Sequence, residues 1–407
     1  MVDLFEKCKG FFSDPAVAES MGYPASPNRA KELGIYPFFI PLDETEGTEV
    51  TIQGRRLVML GSNNYLGLTT HPEVREAAVR AIREFGTSCT GSRFLNGTLA
   101  LHGELERRLA RFVGKEKALV FSTGYQANLG VLSALIGRSD VVICDKEDHA
   151  SIVDGCRLAL GRMARFRHNH AEDLDRVLAA CPSGAGKLVV VDGVFSMGGE
   201  IVRLPEIAPV CRRHEARLLV DDAHAMGILG KGRGTAAHFG MVDDVDLIVG
   251  TFSKSFASIG GFVAGDETTI HWIQHLARSL IFSASLPAPN VAAALAALDV
   301  MEREPERVER VNAIADRMRR SLRSLGFDIG QSETPIIPIF IGDSLETMRA
   351  WRALFDAGVY VNVAIPPAVP PGKALLRTSY MATHTDEQMD RVLETFAMVG
   401  RSLGLIP

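Results

Sequence analysis

Leu247-Ile248-Val249-Gly250-Thr251-Phe252-Ser253-Lys254-Ser255 is a short apolar run that stops abruptly on hydroxyls and an amine. A brief β-favouring run bounded by glycine reads as a buried strand, with polar chemistry beginning where the strand ends. The same pattern recurs on its N-terminal side. Residues 218–220 end in Asp221-Asp222, and residues 188–191 end in Asp192-Gly193. Residues 141–144 repeat the strand signal, and residues 118–121 lead into Ser122-Thr123-Gly124. Helical periodicity fills intervals such as residues 125–135. Strands alternating with helices predict an open α/β sheet, and such sheets bind ligands beyond the carboxyl ends of their strands. The polar residues at these ends are therefore expected along one rim.

Outward from this centre the texture changes twice. Residues 1–55 carry Pro24, Pro27, Pro37 and Pro41 and read as an arm with short elements. At Thr70-His71-Pro72-Glu73 a capping-box spacing opens a helix whose Val74, Ala78, Ile82 and Phe85 can share one face, with Gly86 ending it. After residue 300 the chain reads as an amphipathic helix over 302–325, a strand over 336–341 interrupted by Pro338, a helix over 345–357 and a strand over 375–379. The expected division is an arm over 1–55, a large domain over 56–299 and a smaller α/β domain over 300–407. The alanine-rich run 291–298 predicts close helix packing.

The 407 residues are 46% hydrophobic and 23% charged, which suits a large buried interior. A net charge of -5 offers no general polyanion-binding surface, so nucleic acid is not an expected partner. Six scattered cysteines without a CxxC pair fit free thiols in a reducing compartment. The N-terminal residues lack a long apolar signal segment, which predicts a cytoplasmic protein. The uncharged runs 118–137 and 280–298 are broken by polar residues or proline and read as core rather than membrane spans. An apolar face within the first fifty residues would suit peripheral contact with the inner face of a membrane.

Lys254 among hydroxyls and small residues suits an aldehyde cofactor: its amine forms an imine while Thr251 and Ser253 donate to a phosphate. The bland alternative is an exposed lysine in a serine-rich turn. Asp221, directly after its strand, is the choice for holding a pyridinium nitrogen protonated, and Asp222 is read as a cap of the next turn. His224 is placed to donate to a phenolic oxygen. Val220-Asp221-Asp222-Ala223-His224 alone would equally suit a metal site or a structural turn, but no clustered third ligand accompanies it and no metal is expected. Ser122, Thr123, Gly124 and Tyr125 form an anion-binding turn at a helix start. His149 is read as stacking on an aromatic ring, against the alternative of plain packing.

Taken together, Gly61-Ser62-Asn63-Asn64-Tyr65-Leu66-Gly67, Phe121-Ser122-Thr123-Gly124-Tyr125, Asp221-Asp222-Ala223-His224, Gly250-Thr251-Phe252-Ser253-Lys254 and Leu376-Arg377-Thr378-Ser379 are specific. From Tyr36 onward the chain resembles the α-oxoamine synthase family of fold-type I pyridoxal 5'-phosphate (PLP) enzymes. The resemblance implies a mostly parallel seven-stranded central sheet with a smaller C-terminal α/β domain, and a homodimer with sites at the subunit interface. It implies condensation of an α-amino acid with an acyl thioester and loss of carbon dioxide. By the same resemblance His149 stacks on the cofactor ring, Asp221 pairs with its nitrogen and His224 touches its hydroxyl oxygen. Arg377 holds the amino-acid carboxylate, Ser283 reaches the phosphate bound in the partner subunit, and Asn63 or Asn64 faces the substrate.

Two departures from the family pattern stand out. Asp222 occupies a position where glutamate is frequent, and Thr87-Ser88-Cys89-Thr90-Gly91 has less glycine than usual, restricting the backbone around Cys89. Residues 91–98 and 380–385 are most similar to the serine palmitoyltransferase branch. That branch implies L-serine and a long-chain acyl-CoA, with an acyl-carrier protein as the alternative donor, giving 3-ketosphinganine for sphingolipid synthesis. Glycine C-acetyltransferase and 8-amino-7-oxononanoate synthase are the enzyme alternatives, because they share Lys254, Asp221 and His224. An aminotransferase fits the pattern less well. A catalytically silent scaffold is the alternative from another class, and it would bind no amino acid with a spectral response.

Overall fold

Residues 3, 5–20 and 27–407 are described by the computed structural model, and Pro24 of the expected arm lies outside them. The chain divides into two units: Asn64–Ser196 with Glu200–Arg310, and Met1–Asn63 with Met197–Gly199 and Val311–Pro407. Fourteen strands run through the described residues. Of the first three, β1 (Glu44–Thr45) and β2 (Glu49–Ile52) lie in the stretch expected as an arm, and β3 (Arg55–Met59) begins at its last residue.

The larger unit is built on β4 (Lys117–Phe121), β5 (Val141–Asp145), β6 (Arg162–Phe166), β7 (Lys187–Asp192), β8 (Arg217–Asp221), β9 (Leu247–Thr251) and β10 (Gly261–Gly265). These form one seven-stranded sheet in the order β4-β10-β9-β8-β7-β5-β6. β10 runs antiparallel to both neighbours, and every other pairing is parallel. The expected fold is therefore observed. Every residue of β5, β9 and β10 is buried, because helices cover both faces. Each fully buried Val, Leu or Ile contributes about 1.5–3 kcal/mol, so such runs form only where both faces are covered. The carboxyl ends of β4, β5, β7, β8 and β9 share one rim.

Two helix expectations need correction. The helix Pro72–Phe85 starts one residue later than a Thr70 cap requires, with His71 as its N-cap and no side-chain cap bond. Its buried stripe is Val74, Ala77 and Ala81, while Ile82 and Phe85 are 44% and 37% exposed. The reason lies in the partner helix Ala288–Arg303, which is itself alanine-rich: small side chains facing each other allow close approach, and the larger ones are turned outward. The close helix packing expected for the alanine run is thus observed. The expected continuous helix over 302–325 is two elements, Ala288–Arg303 and Glu306–Leu325, because Pro305 cannot continue the ladder and pushes Glu304 out of helical geometry.

The smaller unit carries β11 (Ile336–Gly342), β12 (Val359–Tyr360), β13 (Asn362–Ala364) and β14 (Ala374–Ser379). One sheet has the order β1-β2-β3-β12, and the other β11-β14-β13. Pro338 is accommodated within β11, opposite Arg377 of β14. Leu57, Trp351, Phe355, Tyr380 and Phe396 anchor the core of this unit. Among the described residues no helix is long and apolar enough to cross a membrane.

Candidate active site

At the rim, β8 ends on Asp221 directly beside Asp192 at the end of β7. A cavity of about 300 Å³ opens there. Lys254, Asp221, His149 and His224 line it, and so do Thr123, Gly124, Tyr125, Thr251 and Ser253. Nine expected residues from four separate segments therefore meet at one place. A larger cavity, about 680 Å³, lies at the opposite ends of the strands beside Lys115, Asp246 and Leu247, and holds none of them. The chemistry, not the size, identifies the site.

Lys254 sits in the connection that reverses the chain from β9 into β10. That loop is closed by Phe252 N–H donating to the Gly260 carbonyl and Ser258 N–H to the Phe252 carbonyl, both at 2.9 Å. Phe252 and Phe256 are fully buried beneath it, and the Ser255 hydroxyl donates to the Met226 carbonyl at 2.7 Å. Ala257, at φ +54°, carries the left-handed residue of the turn, a strain of about 1–2 kcal/mol. The lysine is thus held half-buried by its neighbours rather than standing free in a serine-rich turn. Thr251 Oγ1 donates to the Gly260 carbonyl at 3.0 Å, so its proton is committed within the loop. Ser253 is exposed, with its Oγ 2.9 Å from Thr251 Oγ1, and is the hydroxyl of this pair that faces an incoming anion.

The helix Gly124–Leu135 begins with Thr123 as its N-cap, whose side chain accepts from Gln126 N–H. This is the geometry that aims first-turn amides at an anion. A Cβ on Gly124 would stand 2.9 Å from the Thr251 side chain, and one on Gly261 would stand 2.5 Å from Gly124 Cα. The two glycines let the start of β10 lie against the turn. Ser122 is not part of the cavity wall: its hydroxyl donates to the Ala284 carbonyl at 2.5 Å. Ser283 accepts from Gln126 Nε2 at 3.1 Å, directly behind the turn.

Asp221 is 4% exposed, and both its oxygens are engaged. Oδ1 accepts from Ala223 N–H at 2.9 Å and Oδ2 from Asn128 Nδ2 at 2.6 Å. Asn128 also donates to Ser151 Oγ at 2.9 Å, and Ser151 Oγ stands 2.7 Å from His149 Nδ1. Burial lowers the His149 pKa, with Asp221 opposing and Lys254 adding to the depression. The His149 backbone N–H donates to Asp192 Oδ2 at 2.9 Å. Burial, then the charge of Asp221, pushes the Asp192 carboxyl well above the usual range. His224 Nδ1 meets the fully buried Tyr65 hydroxyl at 2.8 Å. Asp222 points away from the cavity: it accepts from Thr235 N–H at 3.0 Å, and burial raises its pKa to about 7. Its side chain therefore caps not the turn that directly follows, which is bonded by the Asp222 backbone carbonyl, but the start of the short helix at Thr235.

Asn128, Ser151, Asp192 and Tyr65 are site residues that sequence reasoning did not single out. Tyr65 and Asp192 stood inside quoted motifs and Ser151 two residues after His149; Asn128 carries no local signal beyond a polar residue on the buried face of a helix. His168, just after β6, is held between Asp145 at 3.0 Å and Glu200 at 2.7 Å. Burial alone would lower its pKa, but its bonds to the two carboxylates raise it to about 10, making it an imidazolium in an ion pair.

In the smaller unit, Arg377 is 5% exposed on β14. Its Nη1 donates to Asn63 Oδ1 at 3.1 Å and to Ser379 Oγ at 2.8 Å. Asn64 instead engages Thr69, donating from Nδ2 to Thr69 Oγ1 at 2.8 Å. Asn63 is thus brought directly to the arginine.

The larger unit's cavity fits PLP. An amine, a first-turn amide cradle kept open by Gly124, a buried carboxylate and a histidine ring line the same space. Asn128 Oδ1, buried beside Asp221, has no hydrogen-bond partner among the described residues and leaves an open acceptor in the same wall. A family model described as aminotransferase class I and II matches residues 55–396. The chain belongs to that family. Within it the chain is an α-oxoamine synthase, as the motifs implied. A serine palmitoyltransferase of Sphingobacterium spiritivorum is 49% identical over 91% of this chain and 93% of its own length. The structure of a serine palmitoyltransferase from S. paucimobilis with a bound PLP–myriocin aldimine superposes with a TM-score of 0.94 at 39% identity, covering 100% of both chains. An 8-amino-7-oxononanoate synthase of Geobacter sulfurreducens is 42% identical over 92% of this chain and 97% of its own length.

Proposed function

We propose that this α-oxoamine synthase is a PLP-dependent serine C-palmitoyltransferase, joining L-serine to a long-chain acyl-CoA with loss of carbon dioxide and thiol to give 3-ketosphinganine for sphingolipid synthesis. The observation that carries the reading is the single cavity lined by Lys254, Asp221 and His149 in a chain 49% identical to a serine palmitoyltransferase. When bound, PLP supplies an aldehyde for amine exchange and a conjugated ring that accepts electron density from the substrate Cα.

The protein does the rest. Lys254 holds the cofactor between turnovers, and its freed Nζ takes the Cα proton of serine and returns one after carbon dioxide has left. Asp221, fixed as an acceptor by Asn128 and Ala223, keeps the ring nitrogen protonated. His149 stacks on the ring, and His224, steadied by Tyr65, donates to the phenolic oxygen. The amides of Gly124 and Tyr125 and the Ser253 hydroxyl bind the phosphate, with Thr123 and Thr251 shaping the cradle. Ser122 supports this turn through Ala284. We assign the serine carboxylate to Arg377, pre-oriented by Asn63.

A homodimer with interfacial sites, in which Ser283 reaches the partner's phosphate, belongs to the same proposal. So does a cytoplasmic location with contact at the inner face of the membrane, which exposed Phe5, Phe12 and Phe39 in the N-terminal segment support. The likeness to the G. sulfurreducens enzyme keeps alanine with pimeloyl thioester as a second reading. The test is a matrix of serine, glycine and alanine against acetyl, pimeloyl and palmitoyl thioesters, scored by product mass. Serine with palmitoyl-CoA is expected to turn over fastest. Highest turnover with a shorter donor, and no serine-dependent long-chain product, would overturn the assignment.

A further inference from the structure

We propose that Asn128 and Ser151 are positioning residues that impose a single tautomer on His149, with Nδ1 bare and the proton on Nε2. The argument is one of hydrogen-bond polarity, and it starts at Asp221. A carboxylate only accepts, so the amide facing Asp221 Oδ2 at 2.6 Å must present its NH₂ end. This fixes the orientation of Asn128. The same NH₂ group then has its second hydrogen directed at Ser151 Oγ, 2.9 Å away. With one lone pair accepting from Asn128, Ser151 still has its own proton to direct at its other neighbour, His149 Nδ1 at 2.7 Å, and the backbone donor at the same nitrogen selects that direction. The Ser151 backbone N–H approaches the same nitrogen at 3.2 Å. Two donors converge on Nδ1, which must therefore be unprotonated in the neutral ring. Burial, which lowers the His149 pKa, acts in the same direction by disfavouring the doubly protonated ring.

The relay runs over four side chains on three elements. Asn128 is 1% exposed on the helix Gly124–Leu135, Ser151 is 1% exposed in the first turn of the helix Ala150–Leu158, and Asp221 ends β8. Burial of the middle members means that water cannot substitute for a lost donor at little cost. Its consequence is chemical. His149 meets whatever occupies the cavity as a neutral N–H donor at Nε2, suited to an anionic oxygen of a substrate, and not as a base. The negative charge on Asp221 is the same feature the proposed function uses to hold the ring nitrogen protonated. One carboxylate thus sets both the electronic state of the cofactor and the protonation pattern of the group stacked on it.

The functional consequence rests on the proposed function, whereas the tautomer is a property of these side chains. The test is nitrogen NMR of the ¹⁵N-histidine-labelled holoenzyme, with the His149 signals assigned by their loss in His149→Asn. The wild type is expected to show Nδ1 as a bare acceptor and Nε2 as protonated. Ser151→Ala is expected to shift the tautomer ratio toward Nδ1–H by about tenfold, the worth of one hydrogen bond, and Ser151→Thr to restore it. Asn128→Leu is expected to give the same direction of shift with Ser151 still present, because the freed hydroxyl can then accept from Nδ1–H. A serine acting only by packing would leave the Asn128→Leu ratio at the wild-type value. A protonated Nδ1 in the wild type, or an unchanged ratio in Ser151→Ala that still retains cofactor, would overturn the proposal. If Asn128→Leu fails to fold, the Ser151 pair decides alone. Failure of borohydride to fix cofactor on Lys254 would sink the proposed function while leaving the tautomer result standing.

Discussion

Lys254→Ala is expected to abolish covalent retention of cofactor after borohydride reduction and gel filtration, and to lower kcat by about 10²–10⁴-fold, the range of a lost general acid–base group. Peptide mapping of the reduced wild type should find the label on Lys254. Two histidines outside the cavity make opposite predictions with pH. His384 is 1% exposed, accepts from Met381 N–H at Nδ1, and is lowered by burial to about 4. Because the folded state disfavours its charged form, its contribution is full above the unfolded value near 6.5 and is lost as pH falls toward 4. The stability advantage of wild type over His384→Gln should shrink over that window by about 3 kcal/mol, measured by urea titration. His168, raised to about 10 by Asp145 and Glu200, is the reverse case. Its contribution is full below about 6.5 and fades as pH rises through 10. After allowance for partial exposure, the wild-type advantage over His168→Gln should fall by about 2–3 kcal/mol between those limits.

Among elements, the pair Pro72–Phe85 and Ala288–Arg303 is the most exacting contact, because it is made by alanines. Ala81→Leu is expected to destabilise the protein by about 1–3 kcal/mol, read as a lower urea midpoint with unchanged slope. Here sequence reading had its limit. The strands were legible because a run buried on both faces must be apolar throughout, and the rim was legible because the polar residue comes directly after each run. The rim positions of Asp221 and Thr251 followed from that alone, whereas His149 rested on the whole set of motifs. Which stripe of Pro72–Phe85 turns inward was not legible, since Ile82 and Phe85 satisfy a helical period as well as Ala77 and Ala81 do; only the facing helix decides. Asn63 and Asn64 are neighbours of identical type whose side chains leave the backbone in different directions, a matter of local dihedral angles. Asn128 and Ser151 gain their meaning only from partners 93 and 23 positions away across the fold. The break at Pro305, by contrast, was written in the sequence.

For the molecule as a whole, a bound cofactor adds stability that depends on occupancy. Removing PLP with hydroxylamine is expected to lower Tm by several degrees, since a ligand at 100 times its Kd contributes about 2.7 kcal/mol to the folded state. Adding PLP back should restore it. In Lys254→Ala the restoration should be smaller and require more PLP, because only the phosphate and ring contacts remain. Equal restoration in both would mean that the amine adds nothing to retention.

β10 lies between β4 and β9, pairing Gly261 with Phe121 and Gly265 with Lys117. The turn at Gly124 follows β4 immediately, yet the strand that braces it is synthesised about 140 residues later. A ribosome therefore delivers one half of the phosphate cradle long before the other. Until residue 265 has emerged, β4 is an unpaired edge and Lys254 an ordinary amine on an open hairpin. A chain truncated within this interval is expected to retain less cofactor than the whole chain, because the amides at Gly124 lack the strand that braces them.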